Sequence, residues 1–135
     1  MAKQTNVLAL PLVAMDIMTG NSEDWIDSIK YVVTQEIGDI TDWPQMDLRG
    51  IEFEMEVRRS VQEHEVIIHG STVDGTLAIG APPNIGYLLI HIPYDIMKYK
   101  FSGNYIGDIR ASDDDDRRVI VQFTLNIFDG VTRTP

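Results

Sequence analysis

The 135-residue chain carries 21 acidic against 11 basic residues, a formal net charge of −10, no cysteine and an apolar share of 44%. It is long enough for one globular domain with a real core and too short for two comfortable ones. The acid excess excludes nucleic acid and anionic membrane surfaces as partners, because both demand clustered Lys and Arg, and the lack of cysteine excludes disulfides and thiolate metal sites.

Residues 1–5 are polar. From Asn6 to Met18 the chain is apolar on both faces of a strand, with Leu8, Leu10 and Leu12 on one and Val7, Ala9 and Val13 on the other. Pro11 lacks an amide donor, so this strand belongs at a sheet edge. Two coverings fit it: its own core, folded over by a terminal strand, or a partner protein. We treat residues 1–14 as an N-terminal arm and 15–135 as the domain proper. Val7 to Met15 has the look of a short secretory segment, but Pro11, Asp16 and the lack of a small-x-small pattern weigh against one. No apolar run approaches the roughly 18 residues of a membrane-spanning helix.

Gly20 to Asp24 reads as a turn. Trp25 to Val33 then forms a strand with Trp25, Ile29, Tyr31 and Val33 on a face that Asp27 interrupts. Thr34 to Asp47 is an acidic loop with Ile37, Ile40, Trp43 and Met46, of a length that points to function or mobility. Trp43 either anchors a partner or caps its own sandwich. The clearest strand follows. Ile51, Phe53, Met55 and Val57 alternate with Glu52, Glu54, Glu56 and Arg58, so one face is buried and the other wet. The row of glutamates calls for a basic neighbour: Arg58, Arg59, Lys98, Lys100 or a partner protein.

A looser strand covers His64 to His69, Asp74-Gly75 is a hairpin turn, and Thr76 to Ile79 is a short strand. Tyr87 to Ile92 buries Leu88, Ile90 and Ile92. Pro93 to Tyr99 is a helical turn, Gly103 to Ala111 a strand, Asp113 to Asp116 a polar tip. The last strand, Val119 to Phe128, buries Val119, Val121, Phe123, Leu125 and Ile127. Seven or eight short strands at regular spacing predict an all-β, antiparallel sandwich. A helical turn leading into Gly103-Asn104-Tyr105 matches the tyrosine corner of immunoglobulin-like folds, with the Tyr105 hydroxyl bonded to nearby backbone. Trp25, Phe53 and Tyr105 are the structural anchors of this reading.

The chemistry-bearing residue types give little. Asp113, Asp114, Asp115 and Asp116 invite calcium, but contiguous aspartates diverge and no glycine bends the loop; a solvated tip neutralised by Arg117 and Arg118 is favoured. His64 and His69 fall on opposite faces of one strand, which argues against a shared metal site with His91. No nucleophile elbow or phosphate-cradling loop is present in the sequence. The expectation is a non-enzyme without metal or cofactor.

Three segments resemble a family of small bacteriophage virion proteins with Ig-like folds. They are Met18-Thr19-Gly20-Asn21-Ser22-Glu23-Asp24-Trp25; Asp47-Leu48-Arg49-Gly50 with the strand closing in Val57-Arg58; and Gly103-Asn104-Tyr105-Ile106-Gly107-Asp108-Ile109 with Asp129-Gly130-Val131-Thr132-Arg133. The resemblance implies a structural subunit on the outside of a particle, in tail, baseplate, fibre attachment or capsid decoration. Its partners would be other virion proteins and copies of itself. Since the sequence stops at Pro135, any fibre is expected to be a separate protein. Leu8, Leu10, Leu12, Trp43 and the 113–118 tip are the candidate contacts. The alternative is a carbohydrate-binding module, which needs Trp25, Trp43, Tyr94 or Tyr99 exposed on one flat face to hold a surface glycan.

Overall fold

A computed structural model describes residues 6–33 and 43–131. Residues 1–5 of the arm, the loop positions Ile37 and Ile40, and the closing Thr132 and Arg133 lie outside the described residues.

Among the described residues the chain forms eight strands and one short helix: β1 (Val13–Gly20), β2 (Trp25–Lys30), β3 (Glu52–Arg58), β4 (Ile68–Ser71), β5 (Leu77–Ile79), β6 (Tyr87–Ile92), α1 (Tyr94–Met97), β7 (Gly103–Ser112) and β8 (Arg117–Phe128). They assemble as a five-stranded sheet of order β1-β8-β7-β3-β4 facing a three-stranded sheet of order β2-β6-β5. In immunoglobulin terms β2, β6 and β5 are strands B, E and D, and β4, β3, β7 and β8 are C′, C, F and G. The expected sandwich is the fold observed. One pairing departs from antiparallel: β1 runs parallel to β8, from Val13 opposite Val121 to Gly20 opposite Phe128.

Alternation accounts for the core. Phe53, Met55 and Val57 of β3 are at most 1% exposed, as are Leu88, Ile90 and Ile92 of β6. Each such side chain contributes roughly 1.5–3 kcal/mol by leaving water. Asp27, on the buried side of β2, accepts the indole N–H of Trp25 at 2.8 Å, which explains an acid on that face. On β8 the register slips opposite Ile109 and Arg110. The extra residue, Ile120, is fully buried, and Val119, expected inside, moves to the outer face opposite Arg110. A bulge reverses face parity on one side of itself, and simple alternation cannot locate it.

The corner and the turns follow their local chemistry. Tyr105 donates its hydroxyl to the Phe101 carbonyl at 2.7 Å, closing the expected tyrosine corner. Gly75 has φ of 85°, which the Asp74-Gly75 turn requires, but the expected hairpin is not formed: β4 and β5 belong to different sheets and the turn crosses between them. The strand expected over His64 to His69 is β4 instead, beginning at Ile68, and His64 lies in the preceding loop.

The two sheets meet where Trp25 and Phe123 pack as a T-shaped pair, ring centroids 6.0 Å apart at 65°. Gly107, opposite Phe123 on β7, makes room for that ring: a Cβ there would lie 2.6 Å from Phe123 Cε2 and nearer still to Cζ. Gly107→Ala should therefore displace Phe123 and destabilise the fold by about 1–3 kcal/mol, read as a lowered midpoint in urea unfolding; an unchanged midpoint would show that the ring has another place to go.

Candidate protein-contact surface

β2 ends, β3 and β8 begin, and β7 ends at the same end of the sandwich, so the segments joining them gather there. Leu48 N donates to Ile85 O at 3.1 Å, and Tyr31 N to Gly86 O at 2.8 Å, tying the β2–β3 connection to the start of β6. Glu52 of β3 pairs with Ser112, and Ser112 with Arg117. This is the arm end.

The arm itself is a single 3-10 turn, Val7–Ala9, capped by Asn6, whose side-chain oxygen accepts from Leu8 N at 2.8 Å. In a 3-10 turn residues three apart share a face, and Val7 and Leu10 are accordingly buried, at 0% and 1% exposure. The reading of Leu8, Leu10 and Leu12 as one strand face is corrected: Leu10 belongs to the core and offers nothing to a partner, whereas Leu8 and Leu12 are 54% and 53% exposed. Pro11 precedes β1 rather than interrupting it, and β1 is an edge strand as expected.

The acidic tip packs beside the arm. Asp113 Oδ1 accepts from the amides of Asp115 at 2.9 Å and Asp116 at 2.7 Å. Those backbone donors, Asp116 first, hold its carboxyl below the usual range. Val7 N donates to Asp113 Oδ2 at 3.4 Å, and Arg118 Nη1 donates to the Leu8 carbonyl at 3.1 Å. Asp114 and Asp115 are exposed. One carboxylate thus organises the turn, while its neighbours point to solvent.

Trp43 lies at the same end, on a segment that pairs with a short extension of β2. Val33 N donates to Pro44 O at 2.7 Å, Val32 bridges Gln45, and Gln45 Oε1 accepts from Gly86 N at 2.9 Å. Trp43 is partly buried, and its indole N–H has no hydrogen-bond partner among the described residues. Nearby on the same stretch, burial pushes the Tyr31 hydroxyl up to about 12.

The outer face of the five-stranded sheet is a shallow groove of about 670 Å³ lined by charged side chains interspersed with apolar ones. The glutamate row finds its bases there. Arg58 bonds Glu56 at 2.6 Å, as expected, and Glu54 takes Arg110 and, at 3.3 Å, His69. Arg110 was not among the expected partners, because the β3–β7 register that sets it opposite Glu54 is a long-range pairing. Asp108 stands opposite Glu56. Partial burial of its carboxyl, with the Glu56 charge next, raises it above the ordinary aspartate value of 3.8, although the side chain reaches solvent.

Trp25 is 1% exposed and belongs to the core, so it cannot stack on a sugar. Trp43 lies at the arm end, and Tyr94 and Tyr99 follow β6 at the other. The flat aromatic face that the glycan reading requires is not formed by these four residues. His91 pairs with Asp24 at 3.0 Å and His69 with Glu54, and no group of three metal-binding side chains occurs among the described residues.

An acid whose folded-state value is raised binds its proton more tightly in the native state, so it costs stability once pH exceeds that value. Asp108→Asn should raise the melting temperature at pH 7, and the gain should vanish as pH falls below about 4. Thermal melts at both pH values test this, and equal shifts at the two would remove the charge explanation.

The sequence matches no protein-family model and no curated protein. Among solved structures it is similar to CopC from Methylosinus trichosporium OB3b, with 14% identity over 67% of this chain and 78% of that one, at a TM-score of 0.36. It is also similar to the three N-terminal domains of the bacteriophage RB49 Highly Immunogenic Outer Capsid protein, with 15% identity over 90% of this chain and 38% of that one, at a TM-score of 0.25.

Proposed function

We propose that the chain is a non-enzymatic structural protein of a bacteriophage or phage-like particle. It acts as an adaptor, fibre-attachment or decoration subunit on the outer surface, through contacts with other virion proteins. The observation that carries this reading is the convergence of the arm, the Trp43 segment and the 113–116 tip on one end of the sandwich. Segments more than a hundred residues apart build one surface there, with exposed Leu8 and Leu12 beside exposed carboxylates. An apolar centre with a polar rim is the anatomy of a protein interface. The three segments that resemble phage virion proteins point the same way, and a net charge of −10 suits a place away from packaged DNA.

Leu8→Ser with Leu12→Ser tests the reading. Both side chains are half exposed, so folding stability should change by less than about 1 kcal/mol, while the lost apolar contact should lower incorporation into particles by about tenfold or more. Quantitative mass spectrometry of purified particles, wild type against variant, measures it. Undiminished incorporation of the variant, or absence of the wild-type chain from particles, would sink the proposal.

A further inference from the structure

The charges in the groove on the outer face of the five-stranded sheet do not fully balance. Its lining acids are Asp16, Glu54, Glu56 and Asp108, and its lining bases are Arg58 and Arg110. Both bases are taken, Arg58 by Glu56 and Arg110 by Glu54. Asp16 of β1 and Asp108 of β7 form no ion pair among the described residues. Asp16 accepts from a neutral donor, the Thr124 hydroxyl, at 2.5 Å. Asp108 has Glu56 opposite it on β3 and the uncharged Gln122 opposite it on β8. Unpaired cations on neighbouring segments are engaged elsewhere. Arg59 lies over the Tyr105 ring at 6.0 Å, Arg118 bonds the Leu8 carbonyl, and Arg117 lines a separate hollow with Glu52 and Ser112.

Apolar side chains share the groove with these acids. Val61 is 83% exposed, Ile106 is half-buried on the outer side of β7, and the bulge in β8 turns Val119 to this face. The volume of about 670 Å³ lies within the range of ~300–1,000 Å³ common for ligand clefts. Asp16 and Asp108 flank β8 from its two sides, opposite Thr124 and Gln122, so strand spacing sets their Cα atoms about 12 Å apart. One metal ion, with its oxygen ligands at about 2.3–2.6 Å, cannot bridge carboxylates so placed. Partial burial first, and the Glu56 charge next, make Asp108 hold its proton more tightly than an ordinary aspartate; Arg110 and Arg58 pull the other way by less. The uncompensated charge is thus a cost that a cation from outside would relieve.

We propose that this groove receives an extended segment of a partner protein carrying two arginine or lysine side chains, one set on Asp16 and the other on Asp108. Side chains four residues apart lie on one face of an extended segment at about 13 Å, which matches the separation of the two carboxylates. Long cationic side chains bury their aliphatic stems and keep the charge at the tip. Here the stems would lie over Val61, Ile106 and Val119 while the head groups meet the acids. The charges select this occupant, since an acidic segment or a nucleic acid would meet two carboxylates and find no free cation in the groove. This face is separate from the arm end, so it adds a second contact surface and does not depend on the reading of the first.

Amide NMR spectra of the isotope-labelled full chain, titrated with the capped peptide Arg-Ser-Val-Ser-Arg to about 5 mM, read it directly. The expected shifts saturate and centre on Asp16, Asp108 and Gln122. Asp16→Asn with Asp108→Asn keeps an oxygen acceptor for Thr124 and should weaken binding about tenfold or more; circular dichroism checks that it folds. Asp95→Asn with Glu65→Gln removes the same charge from exposed sites outside the groove and should leave binding within about twofold. Equal weakening by the two pairs reduces the effect to attraction by net charge and overturns the proposal. A titration that never saturates, or shifts centred elsewhere, overturns it as well. Shifts that grow with protein concentration before any peptide is added place a second copy in the groove and likewise overturn it. Incorporation through Leu8 and Leu12 is read separately, so the arm-end reading can stand when this one fails.

Discussion

Phe123 reaches the opposite sheet only because its cross-strand neighbour has no side chain. With Gly107 beside it, the ring can tilt into a T-shaped contact with Trp25 and fill the centre of the sandwich. Trp25 stays in place because Asp27, two residues on, accepts a hydrogen bond from its indole N–H. The rest of the core is aliphatic side chains closing around this contact between sheets. Close-packed interiors transmit such constraints, so the spacing set here also fixes where the strand ends emerge.

Those strand ends decide what the molecule presents. At one, the arm and the acidic tip are drawn together by hydrogen bonds between residues remote in sequence, such as Arg118 to Leu8, and the Trp43 segment is held at the same end by β2 and β6. At the other, Asn21 and the tyrosine corner hold three connections in register while aromatic rings stay outside. The charged outer face of the five-stranded sheet is different in kind. There acids and bases largely answer one another, Glu54 with Arg110 and Glu56 with Arg58. Exposed pairs of this sort contribute little to stability.

What could be read from the residues was whatever has a short period. The alternation of β3, the buried face of β6 and the tyrosine corner are local patterns, and each stands where expected; the Asp74-Gly75 turn is local too, but it carries the chain from one sheet to the other instead of closing a hairpin. Three features escaped, each for a physical reason. From Val7 to Ala14 the arm is apolar at every position, so the period of three that buries Val7 and Leu10 was hidden inside an apparent period of two. The bulge at Ile120 has no sequence mark, and it turned Val119 outward. Arg110 as the partner of Glu54, and the gathering of the contact candidates at one end, depend on which strands become neighbours, which no single segment encodes.

The parallel pairing of β1 with β8 has a consequence for how such a domain could be multiplied. Because the first and last strands run the same way, the described chain enters at one end and leaves at the other, with about 40 Å of β8 between them. A gene duplication that joined two copies in one polypeptide would need only a short linker, and the copies would lie in line like beads on a rod. Had the first strand run antiparallel to the last, entry and exit would share an end, and the duplicate would fold back alongside its parent.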